Sequence, residues 1–180
     1  MSLLDKIAST VLPPEKPEDR AEAHAKAKAL ANGNDWLARI LSHHEQIEQG
    51  FANALNAANP DEARRTAKEL ATLLTAHSSA EEAVVYPALV IQGHKSHAAT
   101  AYEEHQMTKV QLAELERLPP LSDEWREKLE HIRAAVLHHI YTEEKTWLPE
   151  IVKEASSEER ALIDARFNEE FDRSMGKIPA

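Results

Sequence analysis

The chain contains no cysteine. That excludes disulfides, thiolate zinc sites, iron–sulfur clusters and thiol catalysis. Glycine is scarce, with four in 180 residues. Runs rich in Val, Ile, Thr and aromatics are nearly absent outside residues 83–91, so strand signals are weak. No apolar run approaches the ~18 residues that cross a bilayer. The opening Met1-Ser2-Leu3-Leu4-Asp5-Lys6 lacks a basic region followed by an uninterrupted apolar stretch, so no signal peptide is expected. A cytoplasmic location without membrane attachment is therefore expected. The formal net charge of -10 argues against nucleic acid or an anionic membrane as the main partner.

What is present favours helix. Leu, Ala, Glu and Lys dominate, and the length suits one domain with a sizeable core. Leu3, Leu4, Ile7 and Val11 have helical spacing before Pro13, Pro14 and Pro17 interrupt the chain. An alanine- and charge-rich helix is expected over 18–31. Four longer helices follow, over about 36–58, from about 62 to Pro87 (which should bend or end it), over about 96–118, and from the Ser122 cap onward. Ser156-x-x-Glu159 reads as a capping box for a last helix to about 174. The expectation is an all-α, antiparallel up-down-up-down four-helix bundle with extra N-terminal and C-terminal helices. Its parts would be an extension over 1–33, the bundle over 34–155 and a packed helix over 156–180.

One pentad occurs twice, as His77-x-x-x-Glu81 and His139-x-x-x-Glu143, each followed by another glutamate, Glu82 and Glu144. A spacing of four puts imidazole and carboxylate on one helix face. Two single histidines, His44 and His105, lie on the apolar stripes of the other two long helices. In antiparallel neighbours, residues equidistant from the turn share a height. The midpoint of His44 and His77 falls at Pro60-Asp61, that of His77 and His105 near Gly93, and that of His105 and His139 at Ser122. Each midpoint is a turn. Four imidazoles and two carboxylates should therefore meet in one layer.

A lone histidine on an apolar stripe is ordinarily a hydrogen-bonded core residue. Four at one height, with two glutamates that are costly to bury unpaired, point to a metal. Imidazole with carboxylate and no thiolate favours a dinuclear iron site over structural zinc, with manganese also accommodated. On two six-coordinate ions, four histidines, two bridging glutamates and a bridging oxygen leave about two of twelve positions open. The Glu-x-x-His pairs of ferritin-like bundles and the His-Glu-x-x-His of zincins are both absent.

This order of ligands resembles the hemerythrin-like HHE cation-binding family over residues 36–150. His44-Glu45-Gln46-Ile47, Tyr86-Pro87 after Glu81-Glu82, Glu103-Glu104-His105, and Trp147-Leu148-Pro149 after Glu143-Glu144 strengthen the likeness. The resemblance implies a non-heme di-iron centre with an oxo or hydroxo bridge, Glu81 and Glu143 as bridging carboxylates and the four histidines as terminal ligands. Oxygen-carrying hemerythrins have His-x-x-x-His on the third helix, whereas here the positions four from His105 are Ala101 and Lys109. Tyr102 lies on the right face to ligate or to hydrogen-bond a ligand. His43 is the alternative to His44, and Glu82 and Glu144 are either imidazole-orienting acceptors or exposed charges. His24, His94 and His131 read as solvated or structural, and His138 as a surface or seam residue.

The functional expectation is a di-iron protein that binds, senses or reduces oxygen, peroxide or nitric oxide, with peroxide decomposition as a candidate activity and stress response suggested by analogy. The alternative is an iron-binding or iron-sensing module without turnover. Monomer and homodimer are both compatible with the sequence.

Overall fold

A computed structural model describes residues 15–33 and 35–177. The expected amphipathic turns at 3–11 and the breaks at Pro13 and Pro14 lie outside the described residues. Every regular element among the described residues is helical: α1 (Pro17–Leu30), α2 (Trp36–Leu55), α3 (Pro60–Ala80), α4 (Tyr86–Ile91), α5 (Lys95–Leu115), α6 (Asp123–Thr142), α7 (Leu148–Glu154) and α8 (Ser157–Ser174). Two π-helical turns, Glu81–Val85 and Glu143–Trp147, join α3 to α4 and α6 to α7 without a break.

The starts follow from local chemistry. Asp35, Asn59 and Ser122 accept hydrogen bonds from the backbone N–H groups of Ala38, Glu62 and Trp125. Ser156 and Glu159 form the reciprocal capping box of α8. Pro60 is the first residue of α3 rather than part of the preceding turn. The missing N–H of a proline is harmless there and its φ is already helical. Pro87 neither ends nor interrupts its helix, which continues to Ile91. The preceding π turn widens the helix just where the proline lacks a donor. Gly93, at φ +97°, makes the reversal into α5.

Helix α2 packs along α3, and α5 along α6, while α2 also meets α6. Helix α8 lies on α3 and the first π turn, and α1 on α2 and the second. The apolar interior has two parts. One contains Leu37, Ile40, Tyr86, Leu89, Trp147, Leu148, Ile163 and Phe167. The other contains Ile47, Phe51, Leu70, Leu74, Trp125, Leu129, Ile132 and Ile140. His44, His77 and His105 fall in sequence between residues of the first part and residues of the second, while His139 lies between Val136 and Ile140 of the second. Phe167 is fully buried, a contribution of up to about 3 kcal/mol. The C-terminal helix is thus a wall of the first core.

Candidate metal centre

The two π turns determine which side chains face inward. In an α-helix, five residues rotate about 500°, so a residue five beyond a glutamate points roughly 140° away from it. In a π turn the fifth residue closes the ring instead. The Tyr86 N–H donates to the Glu81 carbonyl, and the Leu148 N–H to the Glu143 carbonyl. Tyr86 is thereby brought above Glu81, and Leu148 above Glu143.

His44, His77, His105 and His139 are buried, and Glu81 and Glu143 are fully so. His77 Nε2 lies 3.2 Å from Glu81 Oε2, and His44 Nε2 lies 3.3 Å from Glu143 Oε2. His105 Nε2 is 3.6 Å from Glu81 Oε2, His139 Nε2 is 3.5 Å from Glu143 Oε1, and the two Nε2 atoms face each other at 3.0 Å. These donors form two groups that could each hold a metal ion: His44, His77, Glu81 and Glu143, and then Glu81, His105 and His139. Glu81 belongs to both. The Tyr86 hydroxyl stands among them, donating to Glu143 Oε1 at 2.9 Å and lying 3.0 Å from His105 Nε2 and 3.3 Å from His139 Nε2.

Around this cluster runs an outer ring of carboxylates. His44 Nδ1 donates to Glu144 at 2.8 Å, His105 Nδ1 to Glu82 at 3.1 Å, and His139 Nδ1 to Glu104 at 2.7 Å. Each bond holds the imidazole with Nε2 turned inward and raises its basicity toward a cation. Glu82 also accepts from Lys109 at 2.7 Å, and Glu144 from His24 Nδ1 at 2.9 Å. His77 differs, because its Nδ1 is buried without a partner.

The electrostatics show what the protein interior must tolerate. Burial works against a charge on His44, but Glu143 and Glu144 outweigh it and push its pKa up to about 10. Burial likewise opposes ionisation of Glu143, yet His139 and His44 hold its pKa down at about 2. Glu81 goes the other way: burial, then the Glu143 charge, raise it well above the carboxylate range. Burial and the neighbouring His44 push His77 well below the usual imidazole value. Burial, with Glu143 and Glu81, keeps Tyr86 a neutral phenol.

Even so, the cluster does not satisfy itself. His44 Nε2, both nitrogens of His77, Glu81 Oε1 and Glu143 Oε2 are buried without a hydrogen bond. Each such atom costs about 1–3 kcal/mol. Inward-facing imidazole nitrogens and carboxylate oxygens without partners fit a cation of the borderline class.

The structure brings together all six residues of the sequence-derived set, His44, His77, Glu81, His105, His139 and Glu143. Two others stand elsewhere. The Tyr102 hydroxyl donates to the Glu82 carbonyl oxygen at 2.6 Å instead of entering the cluster. His43 stacks on Phe171, with ring centroids 4.1 Å apart, and burial beside His44 lowers its pKa to about 4. Glu82 and Glu144 act as orienting acceptors. Sequence reasoning missed Tyr86, Glu104 and His24. An uninterrupted 3.6-residue period would turn Tyr86 away from Glu81; the signal was Pro87, which an undisturbed α-helix tolerates poorly. Glu104 adjoins His105 in sequence but crosses to His139, a contact that only packing creates. His24, expected to be solvated or structural, joins Glu144 and Glu45. His138 is exposed in part and pairs with Glu15.

Comparison with known proteins agrees with this chemistry. The hemerythrin HHE cation-binding domain matches residues 35–151. A DNA nickase of Nostoc sp. (strain PCC 7120) is 24% identical over 139 residues, covering 77% of this chain and 38% of that protein. An uncharacterized hemerythrin-like protein of Schizosaccharomyces pombe is 27% identical over 131 residues, covering 71% of this chain and 64% of that protein. The chain thus spans less than two thirds of either curated relative. No solved structure matches it. A domain match spanning both pentads and both single histidines, over a buried His/Glu cluster suited to a metal, places this chain in the hemerythrin HHE cation-binding domain family.

Proposed function

We propose that the protein is a non-heme di-iron protein that binds, senses or reduces a small oxidant: oxygen, peroxide or nitric oxide. The observation that carries this is the set of inward-facing donors without partners, divided into two groups that share Glu81. In this reading His44, His77, His105 and His139 would hold two iron ions together with the carboxylates of Glu81 and Glu143. Helices α2, α3 with α4, α5, and α6 with α7 form the up-down-up-down bundle in this reading, with α1 and α8 packed against it. A bound iron pair supplies open coordination positions and reversible electron transfer toward the small ligand.

The protein's own residues do the rest. Glu144, Glu82 and Glu104 fix three imidazoles. Tyr86 Oη, 2.9 Å from Glu143 Oε1, holds a proton inside the cluster. A cavity of about 20 Å³ touches His77, His105 and His139 and is lined by apolar Leu74, Leu112 and Val136 together with Thr108 and Lys109. It has room for about one water-sized molecule, which fits a diatomic ligand or peroxide. The activity named for the Nostoc relative is not carried over, because the match spans only 38% of that protein and the net charge here is -10. Among the described residues no helix is long and apolar enough to cross a membrane.

Anaerobic loading with Fe2+, followed by exposure to oxygen or peroxide, tests the proposal. Two iron ions per chain and a new near-ultraviolet to visible absorption are expected. Tight binding of iron with no spectral change and no peroxide consumption would shift the reading to an iron-binding module without turnover. One observation favours that second reading: His24 on α1 reaches Glu144, which holds His44, so occupancy of the centre is coupled to the seating of the N-terminal helix.

A further inference from the structure

A second group of metal-binding side chains lies outside the buried cluster. His94 caps the N-terminus of α5 without making a side-chain capping bond, and His97 follows on its first turn. Their rings stack nearly parallel, 7° apart in plane and 5.5 Å between centroids. Both present Nδ1 to the same atom of α7: Glu150 Oε2 lies 2.9 Å from His97 Nδ1 and 3.6 Å from His94 Nδ1. The other nitrogen of His94 meets Glu154 Oε2 at 3.1 Å. All four residues are half-buried or partly exposed.

We propose that His94, His97 and Glu150 form a second, solvent-accessible site for a divalent late transition-metal ion, Zn2+ foremost. Four-coordinate zinc with bonds of ~2.0–2.1 Å sets its ligand atoms roughly 3.3 Å apart, and the two measured nitrogen-to-oxygen separations bracket that value. Two imidazoles and one carboxylate select zinc, cobalt, nickel or copper over magnesium and calcium, which require oxygen ligands. Solvent takes the remaining position. Glu154 holds the far nitrogen of His94, as carboxylates do behind metal-bound imidazoles. The bound ion ties the start of α5 to α7. It also lies one aromatic ring from the buried centre: His97 stacks on Trp147 at 6.0 Å, and the Trp147 ring meets that of His139 at 5.7 Å.

The test is a Zn2+ titration against a chromophoric chelator, using iron-loaded, desalted protein. Wild type should take up one Zn2+ more than the His94→Ala/His97→Ala double variant, with iron content and iron absorption equal in the two. Glu150→Gln, which preserves side-chain shape, should weaken that extra uptake at least tenfold. Co2+ should give visible bands in wild type that the double variant lacks. Equal Zn2+ uptake by wild type and double variant overturns the proposal, as does displacement of iron one for one by the added zinc. Should the chain fail to retain iron, the same titration of metal-free protein still decides the matter, since only the surface site predicts a one-ion difference between wild type and the double variant.

Discussion

The two His-x-x-x-Glu copies begin alike and end differently. Both run through a π turn, and both have a proline ten residues after the histidine. In the second copy His139 is held by Glu104, and Leu148 occupies the place five residues beyond Glu143. In the first copy His77 has no partner on Nδ1, and Tyr86 stands at the corresponding place with its hydroxyl inside the cluster. The charges divide the same way. Glu143 is held ionised by the imidazoles beside it, whereas burial and Glu143 itself keep Glu81 protonated. Two carboxylates this close in a dry interior cannot both ionise without a cation. The repeat therefore supplies two equivalent sequences, and the neighbours make one half charged and the other neutral until metal enters.

Breaking that asymmetry should have its largest effect at the glutamates. In metal-free protein at neutral pH, Glu143→Gln should cost about 3 kcal/mol, because it takes one of two counter-charges from buried His44 and His139, leaving them only Glu144 and Glu104. Glu81→Gln, replacing a group already neutral, should stay within about 1 kcal/mol. Urea denaturation of both variants checks this, and equal losses would mean that the halves are not distinct. In iron-loaded protein both changes should abolish stoichiometric binding.

Tyr86→Phe comes next. It deletes a hydroxyl bonded to an ionised carboxylate, a loss of about 1.5–3 kcal/mol. Leu148→Met, at the matching place in the other copy, should cost under about 1.5 kcal/mol. The same pair of variants in the iron-loaded state should separate in absorption spectrum, with only Tyr86→Phe shifting it.

Glu104→Gln removes the acceptor that orients His139, and iron affinity should fall about 10–100-fold by chelator competition. His77 has no such acceptor to lose. A variant that leaves affinity unchanged would show that the outer carboxylates are incidental.

The protonation asymmetry also sets a pH dependence. The pKa of His44 is raised from 6.5 to about 10 in the folded chain, and that of Glu81 is raised as well. Between about pH 6.5 and 10 the folded metal-free state binds more protons than the unfolded state, so stability falls as pH rises. The contribution of His44 is fully present below pH 6.5 and is lost as pH passes through 10. In the loaded protein the metal has displaced these protons into solvent, and the slope of Tm against pH over this window should flatten. A slope unchanged by loading would place the metal elsewhere.

The smallest effect is expected for Tyr102→Phe. Its hydroxyl bonds a backbone carbonyl at the rim, so about 1 kcal/mol of stability should be lost with iron content unchanged.

The helices and the six inward groups were legible in the sequence because they depend on local periodicity. Capping residues and prolines mark the ends, and turn midpoints bring His44, His77, His105 and His139 to one height. Tyr86 was not legible, because a π turn shifts everything after it by about one residue of rotation, and nothing in a count of four or seven reveals that shift. The cross-helix partners were not legible either. Glu82, Glu104 and Glu144 each adjoin a member of the cluster in sequence, and each crosses to an imidazole on another helix.

By itself the sequence determined that two imidazole–carboxylate pairs and two further imidazoles would share one buried layer, since helical spacing and turn position are properties of the chain. Only the tertiary structure decided which carboxylate carries the charge, which imidazole lacks an outer partner and which tyrosine enters the cluster. Those depend on desolvation and on groups brought within about 3 Å across helices, where interactions far outweigh their strength in water.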